Sequence, residues 1–186
     1  MNAQIKSGYW FGMNLTTMTI ITKGISTKAE TPMGIHFGGN FELPLNRNFS
    51  ILSGFVFSSK GADYKIDSIS FSLAPTYIEI PVNVAYSFRL KATRVLLFAG
   101  PYSACAIGGY KIVSGKRYRY LTFGTSENDD LKRFDFGFNF GVGVNIKGFL
   151  VSAQYGIGLT NISPTNDSKM KNRVIGISIS SLKENK

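Results

Sequence analysis

His36 is the one histidine of the chain, and Glu42, Glu79 and Asp135 are carboxylates set within apolar segments. A histidine beside a serine and an acid can activate the serine as a nucleophile. At the rim or lipid-facing side of a membrane protein, such a set could cleave an acyl ester. The three carboxylates could relay protons or ions. They could instead form a hydrogen-bonded plug, and that reading fits better, because buried charges persist only when partnered. Lys6, Arg89 and Arg94 are the candidate partners. Lys116, Arg117, Tyr118, Arg119 and Tyr120 are contiguous. A basic and aromatic run of this kind suits an anionic sugar, lipopolysaccharide or a protein partner. Cys105 is the only cysteine, so neither an internal disulfide nor a cysteine-based metal site can form. Gly137, Gly141, Gly143, Gly156 and Gly158 follow no phosphate-binding pattern, and no residue pattern points to a cofactor.

Which chemistry is available depends on the elements that carry these residues. From Phe134 to Ile146 every even position is Phe, Val or Ile, and every odd one is Asp135, Asn139, Asn145 or glycine. A period of two marks a strand with one apolar and one small or polar face. The same alternation predicts eight strands, at about 5–16, 33–43, 48–58, 75–88, 94–108, 133–146, 149–161 and 172–182. The connections alternate long and short, so in an up-and-down arrangement all long ones share one end. Short periplasmic turns and long extracellular loops are the plan of outer-membrane barrels. The Lys147-Gly148 turn places Ile146 opposite Phe149. It then matches Val144 with Val151 and Phe140 with Tyr155, and on the other face Gly141 with Gln154, Asn139 with Gly156 and Asp135 with Thr160. Both alternations agree across the turn, and a slip of one residue would destroy that agreement.

The interior of an eight-stranded barrel is just wide enough for side chains to fill. The large residues Phe134, Phe136, Phe138, Phe140, Tyr155 and Ile157 are too bulky to share it, and are expected to meet lipid. The opposite face is expected to hold a polar lumen network of Glu42, Glu79, Asn83, Asp135, Asn139 and Gln154. An open sheet edge cannot sit in hydrocarbon, so the sheet must close. The expected fold is an all-β, eight-stranded antiparallel up-and-down transmembrane β-barrel. The alternative, a soluble lipocalin-like barrel holding a ligand, requires the phenylalanines to point inward. The segment "RVLLFAGPYSACAIG" is apolar on both faces and has no orientation from sequence. Tyr9, Trp10, Tyr86, Phe88, Phe134 and Phe149 are candidates for interfacial girdles.

Several motifs together resemble PorT-like outer-membrane β-barrel proteins. "TYIEIPVNVAYSF" is similar to that family's Y-[IL]-E-[IL]-P strand and "LFAGPY" to the strand after it. "FDFGFNFGVGV", "YGIGLTNI" and "KNRVIGISIS" resemble its last three strands, so the resemblance runs in order over about residues 8 to 182. It implies an outer-membrane location, an eight-stranded barrel and no cofactor. The family includes a component linked to protein secretion, which makes a non-enzymatic structural, surface-binding or secretion-accessory role the expectation. An outer-membrane lipid-modifying enzyme is the alternative. Many outer-membrane barrels end on an aromatic residue used in assembly, whereas this chain ends "SLKENK".

The bulk properties agree. Charged residues make up only 17% of the 186 residues, although the net charge is +10. Ordinary soluble domains carry about 25% charged residues. The cations are scattered over the connections rather than gathered in a nucleic-acid motif, and they suit anionic headgroups instead. No run of about 18 apolar residues exists, which excludes a spanning helix but not spanning strands. The start "MNAQIKSG" lacks a basic-then-apolar leader. Residues 1–4 are expected to be a cleavage-site remnant of an exported chain, and 1–186 a single barrel domain.

Overall fold

The computed structural model describes residues 4–22, 25–28, 31–66, 69–91, 93–146, 148–165 and 167–184. The expected remnant at 1–4 therefore falls, except for Gln4, outside the described residues, as does Lys147 of the predicted turn. The described residues form eleven strands: β1 (Lys6–Thr22), β2 (Ile25–Lys28), β3 (Met33–Pro44), β4 (Phe49–Ser59), β5 (Ala62–Ile66), β6 (Ile69–Leu90), β7 (Thr93–Val113), β8 (Lys116–Tyr120), β9 (Phe134–Ile146), β10 (Phe149–Gly158) and β11 (Ser168–Glu184). Eight of them close a ring in the order β1, β3, β4, β6, β7, β9, β10, β11 and back to β1. Every ring pairing is antiparallel, and the closing β1–β11 ladder runs from Lys6↔Glu184 to Thr22↔Ser168.

The predicted β9–β10 register holds, with Phe149 opposite Ile146 and Gln154 opposite Gly141. One pairing differs. β10 stops at Gly158, so Asp135 and Thr160 do not pair, and Thr160 instead caps Phe136 by donating its backbone N–H to the Phe136 carbonyl at 3.2 Å. Most other differences lie at the long-connection end. β1, β6, β7 and β11 run on past the predicted limits, and the extensions fold back as hairpins with β2, β5 and β8. β6 has 22 residues, about twice the 9–11 that cross a bilayer, so its surplus must project beyond the membrane.

The structure orients the strand that sequence left open. Leu96, Phe98, Tyr102, Ala104 and Ala106 of β7 turn inward, and Leu97 and Ile107 turn outward. Large rings therefore do enter the lumen, contrary to the bulk argument above. They fit because glycines face them across the β7–β9 ladder, Gly141 opposite Phe98 and Gly137 opposite Tyr102. A Cβ on Gly141 would lie 2.1 Å from Phe98 Cζ, and one on Gly137 would lie 2.4 Å from Tyr102 Cε1. The glycines are the room that the rings occupy. Trp10 also turns inward, edge-on to His36 with ring centroids 5.8 Å apart, so it is not part of an external girdle.

Candidate functional site

The lumen is filled in layers along the barrel axis. At the long-connection end an apolar cap of Met18, Ala62, Leu73, Leu121, Leu131 and Ile162 closes the mouth. The segment from Leu121 to Leu131 lies across it, joined by a bridge between Phe123 and Leu131. Burying these side chains under the segment keeps the mouth shut by the hydrophobic effect.

Below the cap sits a charged layer centred on Lys60, which is only 3% exposed. Its Nζ donates to Glu79 Oε2 at 2.7 Å and lies 3.6 Å from Asp135 Oδ2. The Tyr77 and Tyr102 rings flank the ammonium, at 5.1 and 4.5 Å to their centroids, close enough for attraction to the ring faces. Tyr102 O–H and Asn172 Nδ2 donate to Asp135 Oδ2 at 3.1 and 2.8 Å. Sequence reasoning put Lys60 among the connection cations and sought the carboxylates' partners in Lys6, Arg89 and Arg94. Of these, Arg94 pairs with Glu42. The signal for Lys60 lies in three dimensions. It follows β4 directly, and the ring brings β4 beside the Glu79 strand, β6.

One layer further down, His36 is 2% exposed between two partners. Asn14 Oδ1 lies 2.8 Å from Nδ1, and Ser178 Oγ lies 2.8 Å from Nε2. The carbonyl oxygen of Asn14 can only accept, so Nδ1 carries the proton and the Ser178 hydroxyl donates to Nε2. The chain Ser–His–Asn has the form of an activated nucleophile. It is enclosed, however, with Asn14 and Ser178 only 2% and 3% exposed. The adjoining cavity, reached by Trp10, His36, Lys60, Glu79, Asn139 and Gln154, holds about 20 Å³. That is room for about one water, not for an acyl chain. Toward the short turns follow an apolar layer of Ala85, Leu96, Phe98 and Leu150, the buried Asn83, and a bidentate ion pair. Arg94 Nη1 donates to Glu42 Oε2 at 3.1 Å and Arg94 Nη2 to Glu42 Oε1.

The structure places all six expected lumen residues inward. Glu42, Asn83, Asp135 and Asn139 are buried, Glu79 is nearly so, and Gln154 lines the small cavity. They form separate layers rather than one network. The six expected outer residues point outward, Phe134, Phe136 and Phe140 with 55%, 51% and 47% exposure and Tyr155, Phe138 and Ile157 on the same face. A lipocalin-like barrel needs Phe136, Phe138 and Phe140 to point inward, and they point outward.

The expected loop surface of Lys116, Arg117, Tyr118, Arg119 and Tyr120 is not a loop. It is strand β8, hydrogen-bonded to the extension of β7 through a turn in which Ser114 and Gly115 both have positive φ, 49° and 77°. That pair of angles fits a two-residue hairpin. All five residues are exposed. Arg117 lies over the Tyr110 ring at 4.2 Å, and Tyr110 packs against Tyr120 at 4.9 Å. Arg119 forks onto Asp130 at 2.6 and 2.8 Å. Partial burial of the Asp130 carboxyl works against ionisation, but the Thr122 N–H and the Arg119 guanidinium outweigh it and hold Asp130 below the ordinary aspartate range. The hairpin is thus braced from below, while Tyr118 and Tyr120 stand 70% and 71% exposed.

The model of a family described as outer membrane protein beta-barrel domain matches residues 2–163. The chain belongs to this family. Its place is the outer membrane, and the outward apolar face and inward filled face are those of an outer-membrane barrel. No curated protein matches the sequence. Among solved structures, the outer membrane protein OprG from Pseudomonas aeruginosa is 10% identical with a TM-score of 0.53, covering 97% of this chain and 95% of its own. Neisserial surface protein A is 10% identical with a TM-score of 0.48 and coverage of 93% and 96%. The attachment invasion locus protein Ail of Yersinia pestis is 11% identical with a TM-score of 0.40 and coverage of 95% and 99%. At such identities the likeness to OprG is one of fold.

Proposed function

We propose that the protein is a non-conducting, non-enzymatic outer-membrane barrel whose work is done by the surface it displays beyond the long-connection end. The observation that carries this reading is the filled lumen. The apolar cap, the Lys60 layer and the Phe98 layer leave a cavity of about 20 Å³, too small for a conduction path or a lipid substrate. The enclosed Ser178–His36–Asn14 set has no route to an acyl ester, so its role is to hold β1, β3 and β11 together. Phe134, Phe136, Phe138, Phe140, Tyr155 and Ile157 meet lipid.

With the interior occupied, recognition falls to the braced hairpin. Lys116, Arg117, Tyr118 and Tyr120 suit an anionic glycan or the phosphates of lipopolysaccharide, where cations supply charge and tyrosines stack on sugar faces. The "YIEIP", "GPY" and "GLTNI" segments support membership among PorT-like barrels, within which a secretion-accessory role remains compatible with a displayed surface. Purified protein in planar bilayers should give no stable openings. It should bind lipopolysaccharide, and the double variant Arg117→Ala, Tyr120→Ala should bind at least tenfold more weakly. Steady large conductance, or binding unchanged in the double variant, would refute the reading.

A further inference from the structure

The opposite mouth carries a second site that this reading does not use. At the short-turn end, Lys6, Glu42, Arg47, Asn48, Arg89 and Arg94 line an open chamber of about 520 Å³. Three arginines, Arg47, Arg89 and Arg94, line it together with one carboxylate, Glu42. Arg89 and Arg94 are direct partners in the β6–β7 ladder and both lie on the lumen side. Like charges placed opposite each other on one face destabilise a sheet. Glu42 answers only one of them. It is 1% exposed and takes the Arg94 fork, and Ser87 Oγ accepts from Arg94 Nη2 at 3.2 Å. Arg94 is therefore held in place. Arg89 and Arg47 have no side-chain hydrogen bond or ion pair among the described residues. Arg47 stands at the tip of the β3–β4 turn, which is fixed because Asn46 Oδ1 accepts from the Asn48 and Phe49 N–H groups at 2.9 Å each.

We propose that this chamber binds an oxyanion, a phosphate group held between Arg89, Arg47 and the Glu42-anchored Arg94. Guanidinium forks match phosphate oxygens two at a time. The volume lies within the range of small-ligand sites, and the bound charge would relieve the Arg89–Arg94 repulsion. The phosphate could belong to a soluble molecule or to a lipid headgroup at the inner face of the membrane.

The test uses the full chain in zwitterionic detergent, titrated calorimetrically with inorganic phosphate, and in nanodiscs with and without phosphatidylglycerol. Arg89→Ala should weaken binding about tenfold or more, the loss expected for one charged hydrogen-bonded partner. Arg89→Lys should recover part of it. Arg89-dependent binding of free phosphate identifies a soluble ligand. Arg89-dependent binding only to phosphatidylglycerol discs identifies a headgroup. No saturable binding in either arm, or binding indifferent to Arg89→Ala and Arg47→Ala, overturns the proposal. Unchanged heat-dependent mobility in SDS shows that each variant is folded.

Discussion

Lys60→Ala is the substitution from which the layered lumen makes its sharpest prediction. In the native protein one ammonium, 3% exposed, serves Glu79 at 2.7 Å and Asp135 at 3.6 Å. Removing it leaves two carboxylates enclosed with no cation. Asp135 keeps Tyr102 and Asn172 as donors, whereas Glu79 has no other donor among the described residues. Breaking a buried pair from one side costs about 3–5 kcal/mol, which is roughly two to three and a half decades in the folding equilibrium. An internal control is available. Lys111 lies 3.9 Å from Asp130 and is itself 25% exposed, so Lys111→Ala should cost no more than about 1 kcal/mol. Urea unfolding in lipid vesicles, followed by the SDS mobility shift, reads both. The triple variant Lys60→Met, Glu79→Gln, Asp135→Asn should regain most of the loss, because no charge is left stranded. The Lys60→Ala barrel should stay closed to ions, since the apolar layers above and below remain. Equal costs for Lys60→Ala and Lys111→Ala would refute the buried-cation reasoning.

Three further outcomes follow from the geometry. Gly141→Ala should destabilise by about 1–3 kcal/mol through overpacking, and Phe98→Leu in the same chain should recover part of it; additive losses by urea unfolding would show that the ring and the glycine are not partners. Phe136→Arg, on the outer face, should cost about 2–4 kcal/mol in vesicles, and a negligible cost would place that face away from lipid. Asp130 is held below its ordinary value, so its anchoring of Thr122 and Arg119 is fully present above about pH 4 and is lost as pH falls through the depressed value. The Thr122 amide shift, followed by NMR in micelles, should titrate with a midpoint below the ordinary aspartate one, and Asp130→Asn should abolish that titration.

The parts of the fold that were legible in sequence are those where pattern and turn constrain each other. β9 and β10 alternate cleanly and meet at a two-residue turn, so their register had one solution. β7 has apolar residues on both faces, and the deciding information sat on another strand, in Gly137 and Gly141, which only a known β7–β9 register would connect to Tyr102 and Phe98. Arg94 was legible as one of three candidate cations but not as the partner of Glu42, because it opens β7, the strand with no orientation from sequence. Lys60 was not, because "SSKGAD" reads locally as a solvated bend, and nothing local shows that it points at β6. The β8 hairpin did carry signs, the Ser114-Gly115 pair and the Arg-Tyr alternation of "RYRY", but that alternation goes with no buried face, since all five side chains of β8 are exposed.

The outer wall shows where the bilayer ends, and so which parts are free to act. Outward positions of β6 are apolar from Phe88 through Tyr86, Val84, Val82 and Ile80 to Ile78, a span of eleven residues, and then become Thr76, Ala74, Ser72 and Ser70. Eleven residues match the length of a tilted spanning strand. On β11 the outward series Ile179, Ile177, Ile175 gives way at the same end to Arg173, Lys171 and Lys169, opposite Thr17, Thr19 and Ile21 of β1. A wall that turns from isoleucine to arginine within two residues fits a headgroup boundary. Since the short turns close just beyond Phe88 and Phe149, the band leaves little surplus strand on that side, and most of the excess of β1, β6, β7 and β11 stands above the Arg173 level. The charged lumen layer around Lys60 lies just under that level, and the apolar cap lies within the surplus collar. The cap and the braced β8 hairpin share the Leu121–Asp130 segment, through Leu121 buried in the cap and Asp130 bound to Arg119. Closing the barrel and presenting its exposed tyrosines are therefore one structural act, and a ligand that displaced the hairpin would have to work against burial of Leu121 and Leu131.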